Sequence, residues 1–238
     1  MIQKKLIAIG GGHLSQKTTN KIDEYVASLA KQHAGDKRAV GVFIGTASHD
    51  SMPYFNSFRK TYTSDFNVKA DCVLSVYGEM NDEKIRSKFE KADLIYIGGG
   101  DTLYMLDWWK KKGIYDYVLD AYNRGVVIAG LSAGAICWFE KMYTDSEFYT
   151  GGDAYAVYDG IGIIKGGCCP HYDVRSKEFD PKFNTLKVDT CWCIEGDAAI
   201  EFTNGEFTKA LTSGGIPYKL QRSGSSFVKT NLLTDKSN

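Results

Sequence analysis

The sequence has little of several features that mark particular classes of protein. Lys and Arg do not exceed Asp and Glu, since each group counts 29 residues, and binding to nucleic acid phosphates rests on a positive excess. No apolar run approaches the roughly 20 residues of a membrane-spanning helix. Only four prolines are present, and no Pro- or Ser-rich linker or internal repeat divides the chain. We therefore expect one globular domain over residues 1–238 that binds neither nucleic acid nor a membrane.

The N-terminal segment also lacks the features of a signal peptide. Its apolar core, residues 6–9, is short and runs directly into Gly10, so it is typical of a first buried strand. A cytoplasmic location follows as an expectation. The six cysteines are then expected to remain thiols, because disulfides are rare in the cytoplasm.

The first two-thirds of the chain alternates short apolar runs with segments of helical periodicity. Strands are predicted at residues 5–9, 39–44, 73–77, 94–97 and 126–129, and helices at 17–34, 52–66, 82–91 and 115–122. Apolar strands separated by helices indicate a parallel sheet with helices on both faces. Residues 198–202, 207–211 and 218–221 predict a small antiparallel extension near the C-terminus. The predicted fold class is therefore α/β.

The sharpest motif is G-x-S-x-G at residues 130–134. It follows the strand at 126–129 and precedes a helix predicted at 133–140, which is the context of a nucleophile elbow. The neighbours of the nucleophile must be small because the turn is tight and strained. Ser132 is therefore the candidate nucleophile, and the alternative is an ordinary tight turn between a strand and a helix.

A serine nucleophile needs backbone donors for the oxyanion that its attack creates. Residues 98–100 are three glycines at the end of the strand at 94–97, and this loop is expected at the same edge of the sheet as the elbow. The candidate donors are Gly99 or Gly100, together with Ala133. Asp101 is expected to cap the next helix.

The nucleophile also needs a base, and the chain has only four histidines. His13 and His49 follow the first two strands, but the chain order nucleophile, acid, histidine favours His171. An acid that orients the histidine is expected between Ser132 and His171. The candidates in that interval are Glu140, Asp145, Glu147, Asp153 and Asp159, and the sequence does not choose among them.

A metal site is the rival interpretation of the cysteines near His171. Cys168 and Cys169 are adjacent and Cys191 and Cys193 form C-x-C, whereas zinc sites use pairs such as C-x2-C. Buried thiols are the better prediction, and we expect neither a metal nor an organic cofactor.

Three ordered segments together resemble the peptidase E family of serine peptidases, which includes aspartyl dipeptidases and has cyanophycinases as relatives. They are residues 97–103 (IGGGDTL), 130–135 (GLSAGA) and 170–173 (PHYD), and the resemblance extends over residues 5–203. It implies a fold like that of class I glutamine amidotransferases, with Ser in place of Cys at the elbow. It further implies Ser132 as nucleophile, His171 as base, and hydrolysis of the peptide bond after an N-terminal aspartate.

The resemblance also bears on the acid and on substrate binding. Aspartyl dipeptidases have an Asp fifteen residues after the serine, where this chain has Glu147, and Asp145 lies in a Thr-Asp-Ser motif. Either carboxylate is a candidate for the third member of a triad. Aspartyl dipeptidases hold the substrate aspartate with a basic residue, for which Arg175 is the nearest candidate here; a solvated loop arginine is the alternative.

The expected partner is a small peptide substrate, and a homodimer is compatible with the sequence. The expected reaction is acyl transfer to water through a Ser-His-acid mechanism. One alternative is another small-substrate hydrolase, namely a cyanophycinase-like β-aspartyl peptidase, an esterase or an amidase. A second is a catalytically silent protein that binds a small anion at the glycine-rich edge.

Overall fold

The computed structural model describes residues 2–78 and 80–234 of the chain. The strands within these residues are β1 (Lys5–Ile9), β2 (Val40–Ile44), β3 (Lys69–Val73), β4 (Leu94–Ile97), β5 (Val127–Leu131), β6 (Phe139–Thr144), β7 (Ala156–Asp159), β8 (Ile164–Pro170), β9 (Thr190–Ile194), β10 (Ala198–Thr203), β11 (Glu206–Thr212), β12 (Pro217–Ser223) and β13 (Ser226–Asn231). The α-helices are α1 (Asn20–Ala34), α2 (Met52–Lys60), α3 (Asp82–Glu90), α4 (Thr102–Lys112), α5 (Ile114–Asn123), α6 (Ala133–Ile136) and α7 (Tyr172–Lys182).

The strands form two sheets. The first has the order β11-β10-β1-β5-β4-β2-β3, in which β1 to β5 are parallel and β10 and β11 are antiparallel additions. The second has the order β13-β12-β9-β8-β6-β7, with a parallel centre of β6, β8 and β9. The α/β prediction is confirmed. The antiparallel pair β10–β11 extends the first sheet at one edge, whereas the third predicted strand of this extension, 218–221, is β12 of the second sheet.

Both faces of the first sheet are covered, because its strands are apolar on both sides. Side chains of α1 and α2 such as Val26 and Phe58 pack with Ile7 and Ile9 on one face. On the other face, Trp109 of α4 and Val118 of α5 share a core with side chains of the second sheet, including those of Phe139 and Trp192. Among the described residues, none of the helices combines the length and the apolar character required to cross a bilayer.

The second sheet is larger than the small extension expected from the sequence. The helix predicted at 133–140 is a single turn, α6, and the chain enters β6 at Phe139. The sequence does not predict β9, and only the first residues of β8 fall within a run of strand-like residues, 161–165. In β8, a Cβ at Gly167 would lie 2.6 Å from Leu186 Cδ2, so glycine is needed here for packing although it disfavours a strand on propensity.

One predicted strand of the first sheet is displaced. The prediction was residues 73–77, whereas β3 ends at Val73. The backbone N–H groups of Ser75 and Val76 donate to Asp50 Oδ2 at 2.6 and 2.7 Å. These two N–H groups are therefore bonded to the Asp50 side chain, from another loop, rather than to a neighbouring strand.

Candidate active site

Ser132 occupies a strained turn between β5 and α6. Its backbone has φ 52° and ψ −106°, a conformation that costs energy in a residue with a Cβ. A Cβ on Gly130 would lie 1.9 Å from the carbonyl oxygen of Gly134, and one on Gly134 would lie 2.2 Å from the carbonyl oxygen of Ile97. Both glycines of the motif are therefore required by close backbone contacts, and the turn is an elbow in its geometry.

His171 lies at the junction of β8 and α7, in the left-handed conformation with φ 51°. Its Nε2 is 2.9 Å from Ser132 Oγ. The backbone N–H of His171 donates to the carbonyl oxygen of Gly10 at 3.0 Å, which ties the histidine to the end of β1. The structure therefore brings together the predicted nucleophile and base, 39 residues apart in the chain.

The imidazole rests on the loop after β1. A Cβ on Gly11 would lie 2.4 Å from both Nδ1 and Cε1 of His171, so only glycine leaves room for the ring. Burial lowers the pKa of His171 below its usual 6.5, and the nearby charge of Arg175 lowers it further, whereas Asp145 and Asp173 oppose this. A neutral imidazole at neutral pH can accept the serine proton.

Neither predicted acid is bonded to His171. Within the described residues, no carboxylate oxygen comes within 4.0 Å of a ring nitrogen of His171. Asp145 Oδ2 accepts from Arg175 Nη2 at 2.9 Å, and Glu147 Oε1 accepts from the hydroxyl of Tyr158. The geometry is that of a Ser-His pair, with Asp145 nearby and Glu147 engaged elsewhere.

Arg175 is a buried residue of α7 rather than a solvated loop arginine. Its side chain is 5% exposed. Besides its ion pair with Asp145, it donates to the carbonyl oxygen of Tyr143 at 3.3 Å and stacks over the ring of Tyr155 at 4.8 Å. In this structure, therefore, Arg175 is paired with a carboxylate of the protein, that of Asp145, rather than with a substrate carboxylate.

Two of the three predicted oxyanion donors, Ala133 and Gly99, lie beside Ser132. Ala133 provides the first N–H of α6, which has no intrahelical acceptor. A Cβ built on Gly99 would lie 3.3 Å from Ser132 Cβ. The Gly99 N–H itself donates to the hydroxyl of Tyr54 at 3.3 Å, whereas the described residues provide no acceptor for the Gly100 N–H.

A cavity of about 550 Å³ opens beside the Ser-His pair. Its lining comes from the loops after β1 and β4, from α2, from the elbow and from the second sheet, and comprises Gly12, His13, Leu14, Ser15, Pro53, Tyr54, Ser57, Gly99, Gly100, Leu131, Ser132, Asp145, Tyr149 and His171. His13 reaches the cavity as expected, whereas His49 packs on the ring of Tyr104 at 4.2 Å outside it. The cavity can hold a short peptide end beside the serine.

The cysteines near His171 do not form a metal cluster. Cys168, Cys169, Cys191 and Cys193 are buried in β8 and β9. In the described part of the chain, no three Cys, His, Asp or Glu side chains are placed to hold a metal ion. Burial raises the pKa of the Cys169 thiol well above its usual value, as expected of a thiol that serves in packing.

Sequence reasoning missed two features of the site. No role in the site is predicted for the glycines at 10–12, although Gly10 and Gly11 hold His171. Their position after β1, at the same sheet edge as the elbow, was the available signal. Tyr54 was missed because the sequence of α2 gives no sign that its tyrosine contacts Gly99, which is 45 residues away in the chain.

Comparisons with known proteins point to a family of peptidases. The model of Peptidase family S51 matches residues 6–209. The chain is 32% identical over 218 residues to a Bacillus subtilis (strain 168) protein named uncharacterized peptidase YgaJ, covering 88% of each. It is also 30% identical over 81 residues to peptidase E of Haemophilus influenzae, covering 34% of this chain and 36% of that protein.

Two solved structures share the fold. One is a peptidase from an acI-B1 actinobacterium, with a TM-score of 0.67, 15% identity and coverage of 95% and 93% of the two chains. The other is a putative peptidase E protein from Listeria monocytogenes EGD-e, with a TM-score of 0.62, 21% identity and coverage of 88% and 100%. With the family match over most of its length, the chain belongs to peptidase family S51, and it is a serine peptidase.

Proposed function

We propose that this peptidase hydrolyses short peptides, in particular dipeptides with N-terminal aspartate, through an acyl-enzyme formed on Ser132. The observation that carries the proposal is the 2.9 Å contact between Ser132 Oγ and His171 Nε2 at the edge of a cavity. The relative named peptidase E supports a peptide substrate, and the preference for aspartate rests on the resemblance described above.

The positions of the side chains support the following reaction. His171 Nε2 takes the proton of Ser132 as Oγ attacks the substrate carbonyl carbon, and the carbonyl electrons move to oxygen. The N–H groups of Ala133 and of Gly99 or Gly100 stabilise this oxyanion. On its collapse the amine leaves with the proton from His171, and water then releases the acyl group by the same steps.

The charged side chains define the proposed subsite. We place the substrate aspartate on Arg175, where its carboxylate replaces that of Asp145, whose side chain is 35% exposed. Of the two candidate acids, Asp145 is favoured for support of His171, because it lines the cavity and its charge raises the pKa of His171. Assembly as a homodimer and a cytoplasmic location stay predictions from the sequence.

Turnover of Asp-X, Glu-X, Asn-X and Ala-X dipeptides, followed by mass spectrometry, tests the proposal. We expect cleavage of Asp-X by the wild type, and a loss of at least about 10⁴-fold in kcat for Ser132→Ala. Cleavage that persists in the variant would remove Ser132 from the mechanism. If the wild type cleaves none of these dipeptides, the substrate is a different acyl compound.

A further inference from the structure

The hydroxyl of Tyr54 in α2 accepts a hydrogen bond from a backbone N–H that is a candidate donor to the oxyanion. The N–H of Gly99 donates to Tyr54 Oη at 3.3 Å. The tyrosine ring packs edge-on against Phe43, with centroids 5.0 Å apart. Its close approach depends on the preceding glycine, since a Cβ on Gly98 would lie 2.9 Å from Tyr54 Cε1. The contact between Tyr54 and Gly99 is therefore held by packing on the ring and by the absence of a side chain at Gly98.

The hydroxyl of Tyr54 retains a proton to donate. Burial raises the pKa of Tyr54 to about 12, so the phenol stays protonated at neutral pH. Among the described residues, no protein atom accepts this proton, because the only bond of Tyr54 Oη is the one that it receives from Gly99. A phenol that receives one hydrogen bond becomes a better donor for a second.

The hydroxyl also lies where a donor is needed. Tyr54, Gly99 and Ser132 line the same cavity, and a Cβ on Gly99 would lie 3.3 Å from Ser132 Cβ. The tyrosine that bonds to the Gly99 N–H therefore lines the cavity in which Ser132 would attack a substrate carbonyl.

We propose that Tyr54 is a catalytic residue, whose hydroxyl donates a hydrogen bond to the oxyanion formed by attack of Ser132. This inference rests on the proposed acyl-enzyme mechanism. As the Oγ–C bond forms, the carbonyl π electrons become a lone pair on oxygen, and the serine proton passes to His171. Tyr54 keeps its own proton and stabilises the new charge by donation alone, and Gly99 N–H acts through Tyr54 rather than directly.

Two single-atom variants of the full chain separate this role from a structural one. Tyr54→Phe removes the hydroxyl and keeps the ring against Phe43. Tyr96→Phe is the matched control, because Tyr96 is a buried tyrosine of the same aromatic cluster, and its hydroxyl has no partner among the described residues. The measurements are kcat and KM on the best dipeptide, the rate of Ser132 labelling by a fluorophosphonate, and the Tm of each variant.

We expect Tyr54→Phe to lower kcat about 100-fold, as loss of an oxyanion donor does, with KM changed less than threefold. The labelling rate falls in parallel, and Tyr96→Phe keeps the wild-type kcat. An unchanged kcat and labelling rate in Tyr54→Phe would overturn the inference, and so would an effect on KM alone. If the wild type is neither labelled nor active, the proposed function itself fails and this inference fails with it.

Discussion

The two walls of the cavity differ in the kind of groups that they present to a substrate. The first-sheet wall, formed by Tyr54, Gly99, Gly100 and Ser132, presents hydroxyl and N–H groups without formal charge. The second-sheet wall, formed by Asp145, Tyr149 and His171, contains a partly buried ion pair between Asp145 and Arg175. In the first wall, close packing fixes the positions of the hydrogen-bond donors. In the second wall, nearby charges adjust the pKa of the base, His171. Changes in the first should therefore act on rate or stability, and changes in the charges of the second on pH dependence.

The loop after β1 joins the two walls, and Gly11→Ala has the largest expected effect on activity among the changes that leave Ser132 in place. The new Cβ would lie 2.4 Å from His171 Nδ1, so the imidazole must move and its bond to Ser132 is lost. We expect kcat/KM to fall about 10³-fold, since the residual activity then comes from the oxyanion donors and binding alone.

Gly196→Ala is the control for this change. A Cβ there would lie 3.8 Å from its nearest neighbours, the carboxylate oxygens of Asp173, which is an ordinary contact. We expect wild-type kcat/KM and Tm for Gly196→Ala, and a wild-type Tm with low activity for Gly11→Ala. Full activity in Gly11→Ala would show that His171 does not need its present position.

The core behind the first-sheet wall contains a buried carboxyl group, Asp23, and it predicts an unusual pH dependence of stability. Burial raises the pKa of Asp23 from 3.8 to about 6, although Thr19 and Tyr62 donate to it. The folded state therefore holds this proton more tightly than the unfolded state, so the free energy of unfolding falls as pH rises from about 4 to 6. The shift corresponds to about 3 kcal/mol.

Asp23→Asn tests this prediction. Relative to the wild type, the variant should gain about 3 kcal/mol in the free energy of unfolding between pH 4 and pH 7, measured by urea denaturation. Glu24→Gln, an exposed carboxylate on the same helix, is the control. If the free energy of unfolding changes with pH in the same way for the wild type and Asp23→Asn, the prediction is contradicted.

The pH dependence of activity tests the second-sheet wall. Because His171 must be neutral to act as base, and burial and Arg175 lower its pKa, the acidic limb of kcat/KM should lie below pH 6.5 in the wild type. Arg175→Gln removes a charge that lowers the pKa of His171, so the limb should move to higher pH. Asp145→Asn removes a charge that raises this pKa, so the limb should move to lower pH.

Arg175→Lys keeps the positive charge and serves as the control, with the limb expected near its wild-type position. The opposite directions of the two charge-removing variants are the essential result. A shift of both in the same direction would mean that a change in packing, rather than charge, sets the pKa of His171.

The difference between the walls also explains what the sequence could predict. The elbow was predictable because its motif lies within five residues, and Gly130 is required by the carbonyl oxygen of Gly134 in the same turn. The cap of α4 was predictable for the same reason, and Asp101 accepts from the N–H groups of Leu103 and Tyr104 as expected. Local sterics and local hydrogen bonds leave a pattern in the sequence.

The charged wall was less predictable because its partners are distant in the chain. Asp145 meets Arg175 across 30 residues, and the register of β6 and β8 that brings them together depends on strands that the sequence did not reveal. The interval between Ser132 and His171 held five carboxylates of equal standing, and only packing shows which of them reach the cavity. Charge and spacing alone therefore identified the candidates but not their partners.

Glu147→Gln has the smallest expected effect on activity. It tests most directly whether the second-sheet wall supplies a third member of a catalytic triad. An acid that orients a catalytic histidine contributes about 10⁴-fold to kcat. Glu147 is instead bonded to the hydroxyl of Tyr158, and it does not line the cavity. We expect kcat/KM of Glu147→Gln to stay within about threefold of the wild type, because the amide oxygen still accepts from Tyr158. A loss of 10³-fold or more would mean that Glu147 leaves Tyr158 for His171 during turnover, and the second-sheet wall would then supply a true triad rather than a tuned pair.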